Sequence, residues 1–248
     1  MSLLDIQNLT KTFGGIKALD AVELYVEEGS VHGLMGANGA GKTTLFSIVA
    51  GNQSLTSGTI SFAGTRIDGK RPDQICHAGI ARTFQIVRPF SGMTVRQNVE
   101  IAVLFGRKQT PVRGEIAGIT DEILTQCGLI GLSDQSSGTL TLATRKRLEV
   151  ARALGTDPKL LMLDEVMAGL TPTEVDDMIT ALLTLKDRMG LTILIIEHVM
   201  SALNRMSDCI TVLHHGQLIA HGTAETISAN PAIAEAYFGT DDGDEETD

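Results

Sequence analysis

The sequence predicts an α/β fold: a mostly parallel sheet core, antiparallel strands on its N-terminal side, and an inserted helical subdomain. Three observations lead there. Apolar runs of strand length at 31–35, 160–163, 191–196 and 210–213 lack polar alternation, as strands buried on both faces do. Helical patterns with start and stop signals separate them, so that strand and helix alternate. The stretch from about Phe90 to Leu154 reads as helical and interrupts that alternation.

In chain order, 3–8 and 17–26 read as short alternating strands joined by a Gly14-Gly15 turn. A buried strand at 31–35 leads through a glycine-rich loop into a helix from about Lys42 that stops at Gly51. Another strand follows at 57–62. Helices are expected at 95–105, 115–127 and 145–154, the last ending at Gly155. Thr171-Pro172-Thr173-Glu174 is a capping box with proline at the first helical position. It opens a helix whose apolar face is Val175, Met178, Ile179, Leu182, Leu185 and Met189, closed by Gly190. The expected division is one domain over 1–240, with its core at about 1–85 and 159–240, a helical subdomain at about 86–158, and an acidic disordered tail at 241–248.

Composition excludes several classes. The chain has 248 residues, no Trp and 4% aromatics, too few rings for a single-strand stacking platform. Net charge is −10, with six acids in the tail (Asp241, Asp242, Asp244, Glu245, Glu246, Asp248), which argues against a nucleic-acid partner. Cys76, Cys127 and Cys209 are odd in number and widely spaced, as in a reduced cytosolic protein rather than a disulfide scaffold. No signal peptide is evident at 1–5, and no apolar run approaches the ~18 residues that span a bilayer.

Gly36-Ala37-Asn38-Gly39-Ala40-Gly41-Lys42-Thr43 matches G-x-x-x-x-G-K-[ST] between a strand and a helix, with Thr44 next. Such a loop curls backbone N–H groups around phosphate oxygens, and the helix N-terminus adds partial positive charge. Lys42 is expected to reach the β- and γ-phosphates and Thr43 to ligate Mg²⁺. Asp164 and Glu165 end the 160–163 strand, where ligands sit in open α/β sheets. Asp164 suits Mg²⁺; Glu165 suits a general base on the attacking water. His198 follows another strand and faces the same crevice, placed to donate to a γ-phosphate oxygen.

Across nearly its whole length the series resembles the ATP-binding-cassette (ABC) ATPases, a P-loop NTPase type. The resemblance implies ATP and Mg²⁺ as cofactors, Phe13 as the aromatic that stacks on adenine, and Gln85 as the amide that touches Mg²⁺ or the attacking water. Thr171 stands where the dimer-contacting loop usually carries Asp. Arg82-Thr83-Phe84-Gln85-Ile86-Val87-Arg88-Pro89-Phe90, Met93-Thr94-Val95, Asn98-Val99, Met167–Glu174 and Ala236-Tyr237-Phe238-Gly239 narrow it to the branched-chain amino acid importer subgroup. That subgroup implies uptake of branched-chain or related amino acids, membrane-embedded permease partners, and indirect, peripheral attachment at the cytoplasmic face of the inner membrane. An export ATPase for lipid or lipopolysaccharide, a non-transport cassette ATPase, a nucleotide kinase and a non-hydrolysing nucleotide-binding protein remain as alternatives.

One motif departs. Where the family carries LSGGQ, this chain has Leu140-Thr141-Leu142-Ala143-Thr144, with both glycines replaced. Arg145, Lys146 and Arg147 crowd the start of the next helix against its dipole, so an anion, a nucleotide phosphate or a partner acid, is expected there. Each ATP in the family lies between one subunit's phosphate loop and the other's signature. A weak signature therefore implies a heterodimer with a related ATPase, a homodimer being the alternative.

Overall fold

The computed structural model describes residues 2–84 and 89–230; Gln85, the 236–239 motif and the acidic 241–248 segment lie outside them. In chain order the chain forms β1 (Ser2–Phe13), β2 (Ile16–Glu27), β3 (Val31–Met35), α1 (Lys42–Val49), β4 (Ser57–Phe62), β5 (Thr65–Arg66), α2 (Pro72–Ala78) and β6 (Ile80–Arg82). Next come α3 (Val95–Gly106), α4 (Arg113–Gln126), α5 (Leu142–Gly155), β7 (Leu160–Asp164), α6 (Pro172–Met189), β8 (Thr192–Ile196), α7 (Met200–Met206), β9 (Cys209–His214), β10 (Gln217–Gly222) and α8 (Ala224–Ser228).

Two sheets result. An antiparallel sheet runs β2-β1-β4-β5, and a six-stranded sheet runs β10-β9-β3-β8-β7-β6. Within the second, β3, β6, β7, β8 and β9 are parallel and only β10 is antiparallel. The buried strands divide their side chains by parity. Leu34, Leu160, Met162, Leu194, Ile196 and Leu213 join one core with α1 and the antiparallel sheet. Met35, Leu161, Leu163, Ile193, Ile195 and Val212 join a second core with α3, α5 and α6. Both faces of the parallel sheet are therefore covered, which is why these runs lack alternation.

The helices α3 to α5 sit between β6 and β7 in sequence, α5 passing close to α3. A Cβ on Gly155 would come within 2.8 Å of the Ala102 Cβ, so glycine sets the approach of these helices. Helix α6 begins as its sequence dictates: Thr171 Oγ1 accepts from Glu174 N, Glu174 Oε2 accepts from Thr171 N, and Gly190 closes the helix in the left-handed conformation. The first strand runs several residues longer than its apolar alternation, and the second exceeds its expected range by one residue at each end. The short elements β5, β6, α2, α7, β10 and α8 are too brief or too polar for a periodic signal. Helix α5 starts at Leu142 rather than Arg145, because the Thr141 hydroxyl caps it by accepting from Thr144 N.

Candidate functional site

The phosphate loop connects the carboxyl end of β3 to α1. Gly41 lies at φ +107°, and a Cβ there would meet Ala18 O at 2.7 Å, so backbone conformation and close packing both demand glycine. It also occupies the N-cap of α1 without a side chain to occupy the helix's first N–H groups. Lys42 is buried, and its Nζ donates to Gly36 O at 2.6 Å and Ala37 O at 3.0 Å, folding the loop back on itself. Asn38, Gly39 and Thr43 are exposed, Ala37 and Thr44 half-buried, and Gly36 and Ala40 buried. A turn distant in sequence braces the loop: Gly216 N donates to Ala40 O at 3.0 Å, and Gly216 O accepts from Asp20 N at 2.8 Å.

β7 and β8 deliver the acids and the histidine together. Asp164 lies beside Ile196 in register, and Glu165 N donates to Ile196 O. Glu165 takes a left-handed φ of 52°, sparsely populated for a residue with a Cβ. It is held there by Ile196, by Lys146 Nζ donating to Glu165 O at 2.9 Å, and by a 2.9 Å contact between His198 Nε2 and Glu165 Oε1. Burial pulls the Lys42 ammonium below its ordinary pKa, and the nearby Glu165 and Asp164 carboxylates push it back up, so all three share one field.

Several residues of the site carried no individual role in the sequence reading. Arg82 donates to Asp164 Oδ2 at 2.8 Å and to Ser47 Oγ at 3.1 Å, in a nearly dry ion pair. Glu149 on α5 accepts from Phe84 N at 3.0 Å, joining the helix after the signature to the residue before Gln85. Glu197 is buried and accepts from Met167 N at 2.7 Å; burial pushes its pKa up to about 7, against the pull of Lys146. Only Arg82, inside a quoted motif, and Lys146, in the basic run, were conspicuous in the sequence. The anion expected at that run is met within the chain for two of its three residues. Lys146 faces Glu197, Glu149 and Glu165, and Arg147 lies 3.6 Å from Asp177.

Phe13 sits at the tip of the β1–β2 hairpin, 46% exposed, with the Lys11 ammonium 4.8 Å from its ring centre; it is not a core residue. Gln85 lies outside the described residues. The glycine cradle, the inward lysine, the exposed Thr43 hydroxyl and the buried Asp164 carboxylate form a donor set that fits a nucleotide's phosphates and a hard divalent cation.

The family model described as ABC transporter matches residues 19–168. The chain belongs to the ABC transporter family. As an ABC member it is an ATP-binding subunit and an ATPase. It is 38% identical to the high-affinity branched-chain amino acid transport ATP-binding protein BraF of Pseudomonas aeruginosa, over 96% of this chain and 98% of that one. It is 35% identical to the corresponding protein LivG of Escherichia coli K12, over the same shares. Among solved structures, a nucleotide-free ATP-binding cassette from an ABC transporter superposes with a TM-score of 0.88 at 33% identity, covering 96% of this chain and 99% of the other. An ADP-bound form of an ABC transporter cassette matches at 0.87, with the same identity and coverage. No helix among the described residues of this ABC subunit is long and apolar enough to cross a membrane.

Proposed function

We propose that this chain hydrolyses Mg-ATP to drive uptake of branched-chain or related amino acids, working from the cytoplasmic face of the inner membrane through membrane-embedded permease subunits. The single observation that supports the chemistry best is the convergence of the phosphate loop, Asp164, Glu165 and His198 at the carboxyl ends of β3, β7 and β8. Similarity along the full length of transport proteins of that cargo class supports the cargo.

In this reading the loop amides from Gly36 to Thr43 and the Lys42 ammonium receive phosphate oxygens, with Lys42 exchanging its two carbonyl partners for them. Thr43 and Asp164 hold Mg²⁺, joined by Gln85. When bound, the cation draws negative charge from the phosphates. Glu165 takes the proton of the attacking water, and His198, within reach of the Glu165 carboxylate, orients that acid and senses the γ-phosphate. Phe13, exposed at its hairpin tip, receives the adenine face. The core at about 1–85 and 159–240 carries the chemistry. The segment at about 86–158 faces the partners, linked to the site through Glu149 and the Phe84 amide.

The dimer partner in this reading is a related ATPase. Leu142 replaces a signature glycine, is 39% exposed, and packs so near Gly169 that a Cβ there would lie 3.1 Å from Leu142 Cδ2. A bulky side chain at that place keeps backbone from a partner-bound phosphate. The test is co-expression with the related ATPase and the permease subunits, reconstitution into liposomes and measurement of ATP-driven leucine uptake. Expected is uptake that disappears with Lys42→Ala; ATP-driven export, or no amino acid flux, overturns the cargo assignment.

A further inference from the structure

At the edge of the parallel sheet, remote in sequence from the catalytic acids, β3, β9 and β10 bring unlike ligating side chains to one face. His32 pairs in register with Cys209, and Thr211 with His221, so all four project to the same side. His32 Nε2 is 2.8 Å from Thr211 Oγ1, and that hydroxyl is 3.0 Å from His221 Nδ1. Cys209 Sγ lies 3.4 Å from His221 Nε2. One ligand atom from each of His32, Cys209 and His221 lies within 4.8 Å of the others. Burial grades outward from His32 at 2% exposure through half-buried Cys209 to exposed His221, leaving a path from solvent.

We propose that His32, Cys209 and His221 bind one thiophilic divalent ion of the zinc class. Zinc takes sulfur at about 2.3 Å and imidazole nitrogen at about 2.0–2.1 Å, so tetrahedral S and N donors stand about 3.5 Å apart. The Cys209–His221 separation of 3.4 Å already meets that requirement, and a ligand atom of His32 stands within 4.8 Å of both. Two imidazoles with one thiolate favour zinc over hard cations such as Mg²⁺ or Ca²⁺. Binding forms the sulfur–metal bond as the thiol proton leaves to solvent. Thr211, hydrogen-bonded to both rings, is the outer group that orients them. A bound ion ties the β9–β10 hairpin to β3. The turn of that hairpin, at Gly216, is the one that braces the phosphate loop.

The test is titration of the chelator-stripped full chain with Co²⁺, followed by Zn²⁺. Expected is a near-ultraviolet thiolate-to-cobalt band saturating at one ion per chain, bleached by Zn²⁺, and a raised melting temperature with Zn²⁺ bound. Cys209→Ser should abolish the band, and His221→Gln, at an exposed position, should weaken binding about tenfold or more. Cys76→Ser should leave both the band and the affinity unchanged. ATP turnover by Cys209→Ser reports folding and the nucleotide site separately. No saturable band, or a band and affinity indifferent to both Cys209→Ser and His221→Gln, overturns the proposal.

Discussion

In the proposed mechanism Glu165 is the general base. Its backbone is strained and three contacts fix it, the cost of roughly 1–3 kcal/mol being sustained by Lys146 on α5, Ile196 on β8 and His198 beyond it. Glu165→Gln preserves the shape and removes the base. Expected is unchanged ATP affinity with turnover lowered about 10²–10⁴-fold, checked by equilibrium nucleotide binding beside steady-state phosphate release; near-normal turnover would refute the role. Glu197, close by, is governed by burial. Its carboxyl titrates at an ordinary 4.5 when unfolded and at about 7 when folded, so the folded state prefers the neutral acid. This group's share of stability is full below pH 4.5 and is lost as pH rises through 7, a change of about 3 kcal/mol by linkage. Glu197→Gln keeps an acceptor for Met167 N and abolishes that dependence. Urea midpoints at pH 5 and pH 8 should therefore differ less in the variant than in the parent chain.

At the scale of elements, local sequence was a good guide wherever periodicity or capping was strong. β3 was expected and found at 31–35, β4 at 57–62, and α6 opens and closes on its capping box and its glycine. It was a poor guide to β6, which is three residues long and exists because it pairs with β7, and to β10, whose polar residues sit at a sheet edge. α5 shows the limit in another way. Its first turn consists of the signature residues themselves, which the sequence reading left outside the helix. The end of α5 rests on α3 through Gly155, and replacement of Gly155 by Ala forces the two helices apart. Expected is a loss of about 1–3 kcal/mol in unfolding free energy, with the denaturant slope unchanged. A stabilised variant would show that the helices can separate freely.

The whole molecule raises the question of how two cassettes meet. ATP held only by the loop of one chain lacks the second set of donors that a partner's signature supplies in the proposed dimer. In that proposal Leu142 and Ala143 make this chain a poor donor to a copy of itself. In a Glu165→Gln background, which retains ATP, the further changes Leu142→Gly and Ala143→Gly should strengthen ATP-dependent self-association about tenfold, measured by sedimentation velocity. Unchanged association would mean that the missing glycines are not what weakens the homodimer, and equal hydrolysis at both sites of a purified homodimer would remove the case for a heterodimer.

The sequence alone determined the alternation of buried strands and helices, the phosphate loop, and the identities of Lys42, Asp164, Glu165 and His198. Each is encoded locally, by a run of apolar residues or by a motif whose glycines and side chains are neighbours along the chain. Only the tertiary structure decided which distant groups answer them: Arg82 to Asp164, Lys146 to the Glu165 carbonyl, Glu149 to the Phe84 amide, Gly216 to the loop, and His32 to Cys209 and His221. Apart from Lys146 and Glu165, which are 19 residues apart, those distant groups lie 65 or more residues from the groups they answer. They come together because parallel strands must be joined by long crossovers, so a strand's neighbour in space is rarely its neighbour in sequence.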